Sequence, residues 1–250
     1  MDVPYPIAVS ATPFSTGEVP PGGGPETFDQ PEALRINKAR MDHLASLNLD
    51  LRGKSVLDVG AGVGHLGNEL TKWGAKVHAV DGRAENVESL RLRYPHIEAS
   101  QANVETTPLG PLGSFDAVFC YGLLYHLENI MMALRNIASA CRDLLLIETI
   151  IIDHQKPILL LEEETFAFSQ ALQGLAHRAS PSYLVLALHR LGFPHIYAPR
   201  HVPDYPDYKF KWRNDLASAR DGHNLRCIFV AARGPLQNPN LISLLPARKG

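Results

Sequence analysis

The chain has 250 residues, 45% hydrophobic and 20% charged, the composition of a soluble globular protein with one sizeable core. A formal net charge of -2 gives no chain-wide basic footprint for nucleic acid or an anionic membrane surface. Cys120, Cys141 and Cys227 are odd in number, far apart and outside any CxxC pattern, so they are expected as reduced core thiols of a cytoplasmic protein.

Residues 1–30 are rich in Pro, Gly, Ser and Thr, including the run Pro-Pro-Gly-Gly-Gly-Pro at 20–25. They are expected as a flexible N-terminal arm, with folding over the active site as the functional alternative. Asp2 and several prolines stand where a signal peptide would carry a basic region and an apolar core. The longest apolar run, Leu144 to Ile152, is interrupted by Glu148 and is too short to span a bilayer, so no membrane partner is expected. A helix is predicted from Pro31, with Asp29 as cap and Leu34, Met41, Leu44 and Leu47 on its apolar face.

The next stretch, Val56-Leu57-Asp58-Val59-Gly60-Ala61-Gly62-Val63-Gly64-His65-Leu66-Gly67, reads as a buried strand, a tight turn and a helix. Glycines at 60, 62 and 64 permit positive φ and leave no Cβ between the turn and a ligand. Asp58 is a charge inside an apolar run and needs donors, either turn amides or an amino-bearing ligand. Gly62 to Gly67 also matches the dinucleotide pattern GxGxxG, but a carboxylate there disfavours a pyrophosphate, and no Gly-Lys-Ser/Thr follows. A second strand, Lys76 to Asp81, ends on a carboxylate 21 positions after Gly60, where a strand-helix-strand unit brings an acid to a ribose. The alternative for Asp81 is an N-cap for the helix starting near Ala84. Gly82 and Arg83 follow at the same edge, and Arg83 is placed to flank an adenosine or simply to face solvent. A short third strand starts at Ile97, and Asn103 and Val104 lie in the loop after it; Asn103 is also a plain turn former. Ala117 to Cys120 is a fourth strand, followed by Tyr121, a small-residue turn and the pair Tyr125-His126 before a helix near Asn129.

Asp-x-Gly-x-Gly-x-Gly closing a strand resembles motif I of the class I S-adenosylmethionine (SAM)-dependent methyltransferases, and Phe115-Asp116-Ala117-Val118-Phe119 through Gly122, Leu124, Tyr125, His126 and Leu127 resembles their motif IV. The resemblance covers about 50–232. It implies an α/β fold with a Rossmann-like seven-stranded, mostly parallel sheet, helices on both faces and an antiparallel last strand, within a domain at 31–232. It also implies SAM as cofactor. Asp58 and the glycines at 60, 62 and 64 would form its turn, Asp81, Gly82 and Arg83 its ribose and adenosine edge, Asn103 and Val104 its adenine contacts, and Cys120 and Tyr121 would pass its methionine part.

The segments 144–153, "GLLYHL" and 180–193 are also similar to the wobble-uridine carboxymethyltransferases of tRNA, which use a carboxylated SAM held by basic and tyrosine side chains. Tyr125 matches one such place. No basic partner is evident, and no counterpart of their long N-terminal domain is in view, so ordinary methyl transfer is expected; the near-neutral charge and an aromatic-rich connection at 199–226 favour a small-molecule acceptor over tRNA.

Residues 154–181 are an insertion with Phe166, Phe168, Leu172 and Leu175 at helical spacing, expected as a substrate lid or a solvated helix. A helix at 182–191 and strands at 195–198 and 227–232 follow, joined by an aromatic-rich connection, 199–226, expected to help build a substrate pocket. Residues 233–250 read as a polar tail. His126 is the leading general base, because it follows the fourth strand at the cleft and its type titrates near neutrality. Tyr125 is the second catalytic candidate, with Glu148 and His154 behind it. The histidines lack metal-ligand spacing such as HExxH, so no metal is expected. The expected activity is methyl transfer to a hydroxyl or amine; a tRNA-modifying enzyme, a nicotinamide-dependent oxidoreductase and a catalytically silent SAM-binding protein remain open.

Overall fold

In the predicted order, apolar runs become strands and the amphipathic stretches between them become helices. The computed structural model describes residues 23–164, 170–172 and 174–244. The expectations for residues 1–22, for Phe166 and Phe168 and for 245–250 lie outside them. The strands are β1 (Ser55–Val59), β2 (Lys76–Asp81), β3 (Glu98–Gln101), β4 (Phe115–Tyr121), β5 (Cys141–Ile150), β6 (Leu159–Glu163), β7 (Leu175–Ala179), β8 (His195–Pro199), β9 (Ala219–Arg220), β10 (His223–Asn224), β11 (Arg226–Ala232) and β12 (Leu241–Ser243). The α-helices are α1 (Pro31–Ser46), α2 (His65–Lys72), α3 (Ala84–Arg93), α4 (Ile130–Ala140) and α5 (Pro181–Arg190).

The main sheet has eight strands in the order β12-β8-β11-β5-β4-β1-β2-β3. Strands β1 to β5 pair in parallel, and β11 runs antiparallel between β5 and β8. Successive side chains alternate between the two faces. Leu57, Val59, Val118, Leu145 and Ile147 pack with α4 and α5 on one face, while Val56, Phe119 and Leu146 join Met41 and Leu44 of α1 and Leu47 just after it on the other. Order reverses between β1 and β4, so the carboxyl ends of these strands open a crevice of the kind that binds ligands in doubly wound sheets.

Three expectations need correction. The sheet gains an eighth strand because the stretch expected as a tail returns to the free edge of β8. Asn238 Nδ2 and Asn240 Nδ2 anchor it to the carbonyls of Leu47 (2.7 Å) and Ser46 (3.1 Å) at the end of α1. The insertion at 154–181 carries an antiparallel pair, β6 with β7, so Leu175, expected at helical spacing, stands in a strand. Ladder pairing and the inward pull on Arg178 by Glu162 (3.1 Å) and Glu164 (3.3 Å) override the local pattern. Asp29 does not cap α1; it turns to Arg93 (2.8 Å) and His65 (2.9 Å), and Leu34 is exposed. Residues 25–29, at the end of the expected arm, form a short 3-10 helix that this ion pair ties to α3.

Glu148 lies in the middle of this sheet with 0% exposure. Arg40 Nη2 of α1 (2.5 Å), Arg226 Nη1 of β11 (3.1 Å) and the Tyr208 hydroxyl (2.8 Å) all donate to its carboxylate. Burial pushes the carboxyl up, but the two guanidinium charges and the Tyr208 bond outweigh it and hold the group below the ordinary glutamate range. Replacing Glu148 by Gln leaves the buried Arg40 without a carboxylate and Arg226 with Asp207 alone, and is expected to cost about 3–5 kcal/mol. Urea unfolding of the two proteins measures it, and a loss under about 1 kcal/mol would show that the arginines find other partners. Because the folded carboxyl is depressed, its contribution is present above the unfolded glutamate value and is lost as pH falls through the folded one; the variant loses this acid sensitivity.

Candidate active site

A cavity of about 490 Å³ opens at the carboxyl ends of β1, β2 and β4. Its first wall is the turn after β1. Gly60 adopts φ +72° while its N–H donates to the Val80 carbonyl (2.8 Å), and a Cβ there would stand 2.9 Å from Leu123. Gly60 therefore has to be glycine for both backbone and packing reasons. Gly62 (φ +54°) donates its N–H to Asp81 Oδ2 (2.8 Å), and a Cβ on it would meet the Phe28 ring at 2.4 Å.

Asp81 closes that turn. Its Oδ1 accepts from the Arg83 N–H (2.9 Å) and Asn86 Nδ2 (3.1 Å), so β2, the turn and the start of α3 meet on one carboxylate. Burial pushes this carboxyl up, and the amides of Arg83 and Gly62 pull it back. An ionised carboxylate has about four lone-pair sites, and three are used, so capacity for one donor remains on the cavity wall. Gly82 lies against Leu172, and Arg83 Nη2 donates to the Ala171 carbonyl (3.2 Å), so residues 170–172 roof this edge. Asn103 and Val104 line the wall beyond, with Asn103 Oδ1 accepting from the Glu105 N–H (2.9 Å) as a turn former does.

Tyr121, Tyr125 and His126 also line the cavity. The Tyr121 hydroxyl is buried with no hydrogen-bond partner among the described residues. Tyr125 lies under the Arg226 guanidinium, 4.9 Å from ring centroid to Cζ, and its oxygen accepts from Arg226 Nη2 (3.4 Å). His126 Nδ1 is 2.7 Å from Glu164 Oε2.

Of the thirteen predicted site residues, Gly60, Asp81, Gly82, Arg83, Asn103, Val104, Tyr121, Tyr125 and His126 line the cavity, and Asp58, Gly62, Gly64 and Cys120 do not. Asp58 lies beneath the turn, 1% exposed, with Oδ2 lacking a hydrogen-bond partner among the described residues. Cys120 points into the core face shared with α4, since Tyr121 takes the cavity side of the strand. Gly64 packs under Leu90, and Gly62 is covered by Phe28. Glu148 is a buried ion-pair partner, and His154 lies off the cavity wall. In the 199–226 connection, Tyr205, Tyr208, Phe210 and Trp212 are likewise off that wall, and Tyr208 serves Glu148 instead.

Sequence reasoning missed Phe28, Arg40, Arg226 and Gln170, which all line the cavity. Each arrives by a long-range contact; an arginine at the start of an otherwise apolar strand was the one local signal for Arg226.

Residues 56–143 match the family model described as "Methyltransferase domain". A ubiquinone biosynthesis O-methyltransferase from Xanthomonas oryzae pv. oryzae is 36% identical over 114 residues, 44% of this chain and 46% of that protein. A tRNA U34 carboxymethyltransferase from Alteromonas mediterranea is 30% identical over 157 residues, 58% of this chain and 46% of the relative. The chain thus spans about half the length of the curated relatives it matches. Among solved structures, the N-terminal domain of EvdMO1 with SAH and D-fucose superposes with a TM-score of 0.59 at 21% identity, covering 78% of this chain and 81% of that one. The 1,6-didemethyltoxoflavin-N1-methyltransferase of Burkholderia thailandensis, with its substrate and S-adenosylhomocysteine bound, gives 0.53 at 20% identity, covering 83% of each chain. The fold is that of the class I SAM-dependent methyltransferases. Residues 56–143, the part that matches the methyltransferase model, contain the glycine turn, Asp81, Asn103 and His126.

Burial, and then the nearby Asp81 charge, push the Asp58 carboxyl up from 3.8 to about 7. Its proton is therefore held in the folded chain after the unfolded chain has lost it. Stability from this group is present below the unfolded aspartate value and is lost as pH rises to about 7. Asp58→Asn is expected to flatten that decline and to gain stability of the order of a few kcal/mol at pH 8. Denaturant titrations from pH 4 to 8 read it, and an unchanged pH slope would show that Asp58 is ionised in the fold.

Proposed function

We propose that the chain binds SAM in this cavity and transfers its methyl group to a hydroxyl or amine of a small-molecule acceptor. The observation that carries the reading is a single cavity lined by the glycine turn and Asp81 together with Tyr121, Tyr125 and His126. The residues fit the cofactor: Gly60 leaves its wall without a Cβ, Asp81 keeps acceptor capacity for a ribose hydroxyl, and Asn103 and Val104 flank an adenine. When bound, SAM supplies an electrophilic methyl on a sulfonium that needs little activation from protein. The chain then has to hold an acceptor in line, exclude water and take a proton, and His126 on the cavity wall is the group for that last task.

A nicotinamide dinucleotide fits poorly. The Gly62 amide, which a pyrophosphate would need, is engaged by Asp81, and Phe28 covers the same glycine. A carboxylated SAM is favoured by one observation: Arg226 is the basic neighbour of Tyr125 that the sequence did not reveal. Because Arg226 donates to the phenol oxygen, the Tyr125 proton is free to donate elsewhere. The resemblance to the Alteromonas mediterranea protein points the same way. Against this reading, Arg226 already serves Glu148 (3.1 Å) and Asp207 (2.9 Å), so ordinary SAM and a small-molecule acceptor are preferred to tRNA.

Calorimetric titration with SAM, S-adenosylhomocysteine, carboxylated SAM and NAD decides among these. Binding of the first two without NAD is expected; NAD binding alone would overturn the proposal, and a preference for carboxylated SAM that Tyr125→Phe abolishes would establish the second reading. Asp81→Asn is expected to weaken SAM binding by about 10- to 100-fold through loss of a charge-assisted bond. It also loosens the turn through Gly62, so the melting temperature is followed in parallel; unchanged affinity would remove Asp81 from the cofactor site.

A further inference from the structure

The hairpin β6-β7 approaches the Tyr125-His126 loop by three contacts. The His177 N–H donates to the Leu127 carbonyl (3.0 Å), Arg178 Nη1 donates to the Tyr125 carbonyl, and His126 Nδ1 meets Glu164 Oε2 at 2.7 Å. Glu164 follows directly on β6, is 6% exposed and is fixed on its other oxygen by Arg178 Nη2 (3.3 Å). Its main chain is fixed as well, since its N–H donates to the Gly174 carbonyl (2.8 Å). A carboxylate has no proton to give at the pH where it pairs with arginine, so the proton in the His126–Glu164 bond lies on Nδ1. The neutral ring then carries its lone pair on Nε2.

We infer that Glu164 is the positioning residue of this active site: it holds His126 in the Nδ1–H tautomer, so that Nε2 is the basic atom presented to an acceptor. The inference rests on the methyltransferase reading above and adds to it the source of the base's orientation. In the step so organised, His126 Nε2 takes the acceptor's hydroxyl proton as the oxygen–methyl bond forms and the carbon–sulfur bond breaks with its electron pair left on sulfur. Arg178 acts one step further out, steering Oε1 of Glu164 away so that Oε2 faces the ring. A nucleophile-or-base, histidine, carboxylate order of this kind is recognised by geometry and not by sequence position. Here the carboxylate comes from an insertion beyond residues 56–143, the stretch that matches the methyltransferase family model.

The test reads the ring directly in the ligand-free protein. Long-range proton–nitrogen correlation spectra of imidazole-labelled protein are expected to show His126 protonated on Nδ1 in the native chain and shifted toward the Nε2–H form, favoured in water, in Glu164→Ala. Glu164→Gln, which keeps an accepting oxygen, is expected to lie between them. Once an acceptor is in hand, Glu164→Ala should lower kcat roughly 10- to 100-fold with KM and SAM affinity nearly unchanged, and Glu164→Gln should recover part of the loss. An unaltered tautomer in Glu164→Ala overturns the positioning role, whatever reaction the protein runs. If instead the tautomer moves while His126→Ala transfers methyl at the native rate, the hydrogen-bond assignment stands and the proton-transfer role of His126 falls.

Discussion

A carboxylate enclosed in the middle of a β-sheet is tolerated only when its charge is met, and Glu148 is met from three directions. Arg40 comes from α1, Arg226 from the start of β11 and Tyr208 from the connection before it. Asp207 completes the balance by pairing Arg226 (2.9 Å), so two buried cations face two buried anions. That requirement draws α1 and the long connection onto the carboxyl end of the sheet, where Arg40, Arg226 and Tyr125 become cavity wall. The same cluster that holds the last strand in place thus gives the site its donor-rich floor.

The glycine turn depends on Asp81 in a comparable way. Three donors from the glycine turn, from the start of α3 and from Asn86 converge on it, so the turn's shape is set by a carboxylate that also faces the cavity. Asp58, close behind, takes the cost of that arrangement: burial and then the nearby Asp81 charge push its carboxyl up, the Gly67 N–H offsets this only in part, and its Oδ2 has no hydrogen-bond partner among the described residues. Over the opening, the short helix before α1 is held down by Asp29 on Arg93 and His65, and Gln170 Nε2 reaches the Gly23 carbonyl (2.9 Å). The roof is assembled from two segments distant in sequence.

The matched family region, residues 56–143, contains the turn, Asp81, Asn103 and the Tyr125-His126 pair. The hairpin, the 199–226 connection and Arg226 lie beyond it. The relatives that match this chain range from a ubiquinone biosynthesis O-methyltransferase to a tRNA U34 carboxymethyltransferase. Glu164 and Arg226 lie outside the stretch that the family model matches.

Local pattern alone was enough for the inner strands, the helices between them and the ligand-facing turn. An apolar run broken by glycines has few other folds available, and an acid at the end of the next strand has few other places to go. Asp81 was legible in this way, and the resemblance brought Asn103, Tyr125 and His126 to the same cleft. Local pattern could not say that Asp58 and Cys120 face away from it, because a strand's two faces look alike until the sheet has chosen its sides. Nor could it find the hairpin at 159–179, the edge strand at 241–243 or the Glu148 cluster. Those depend on pairing energies between segments as much as 194 positions apart, as for Asn240 with Ser46, and pairing at that distance leaves no periodic trace in the chain.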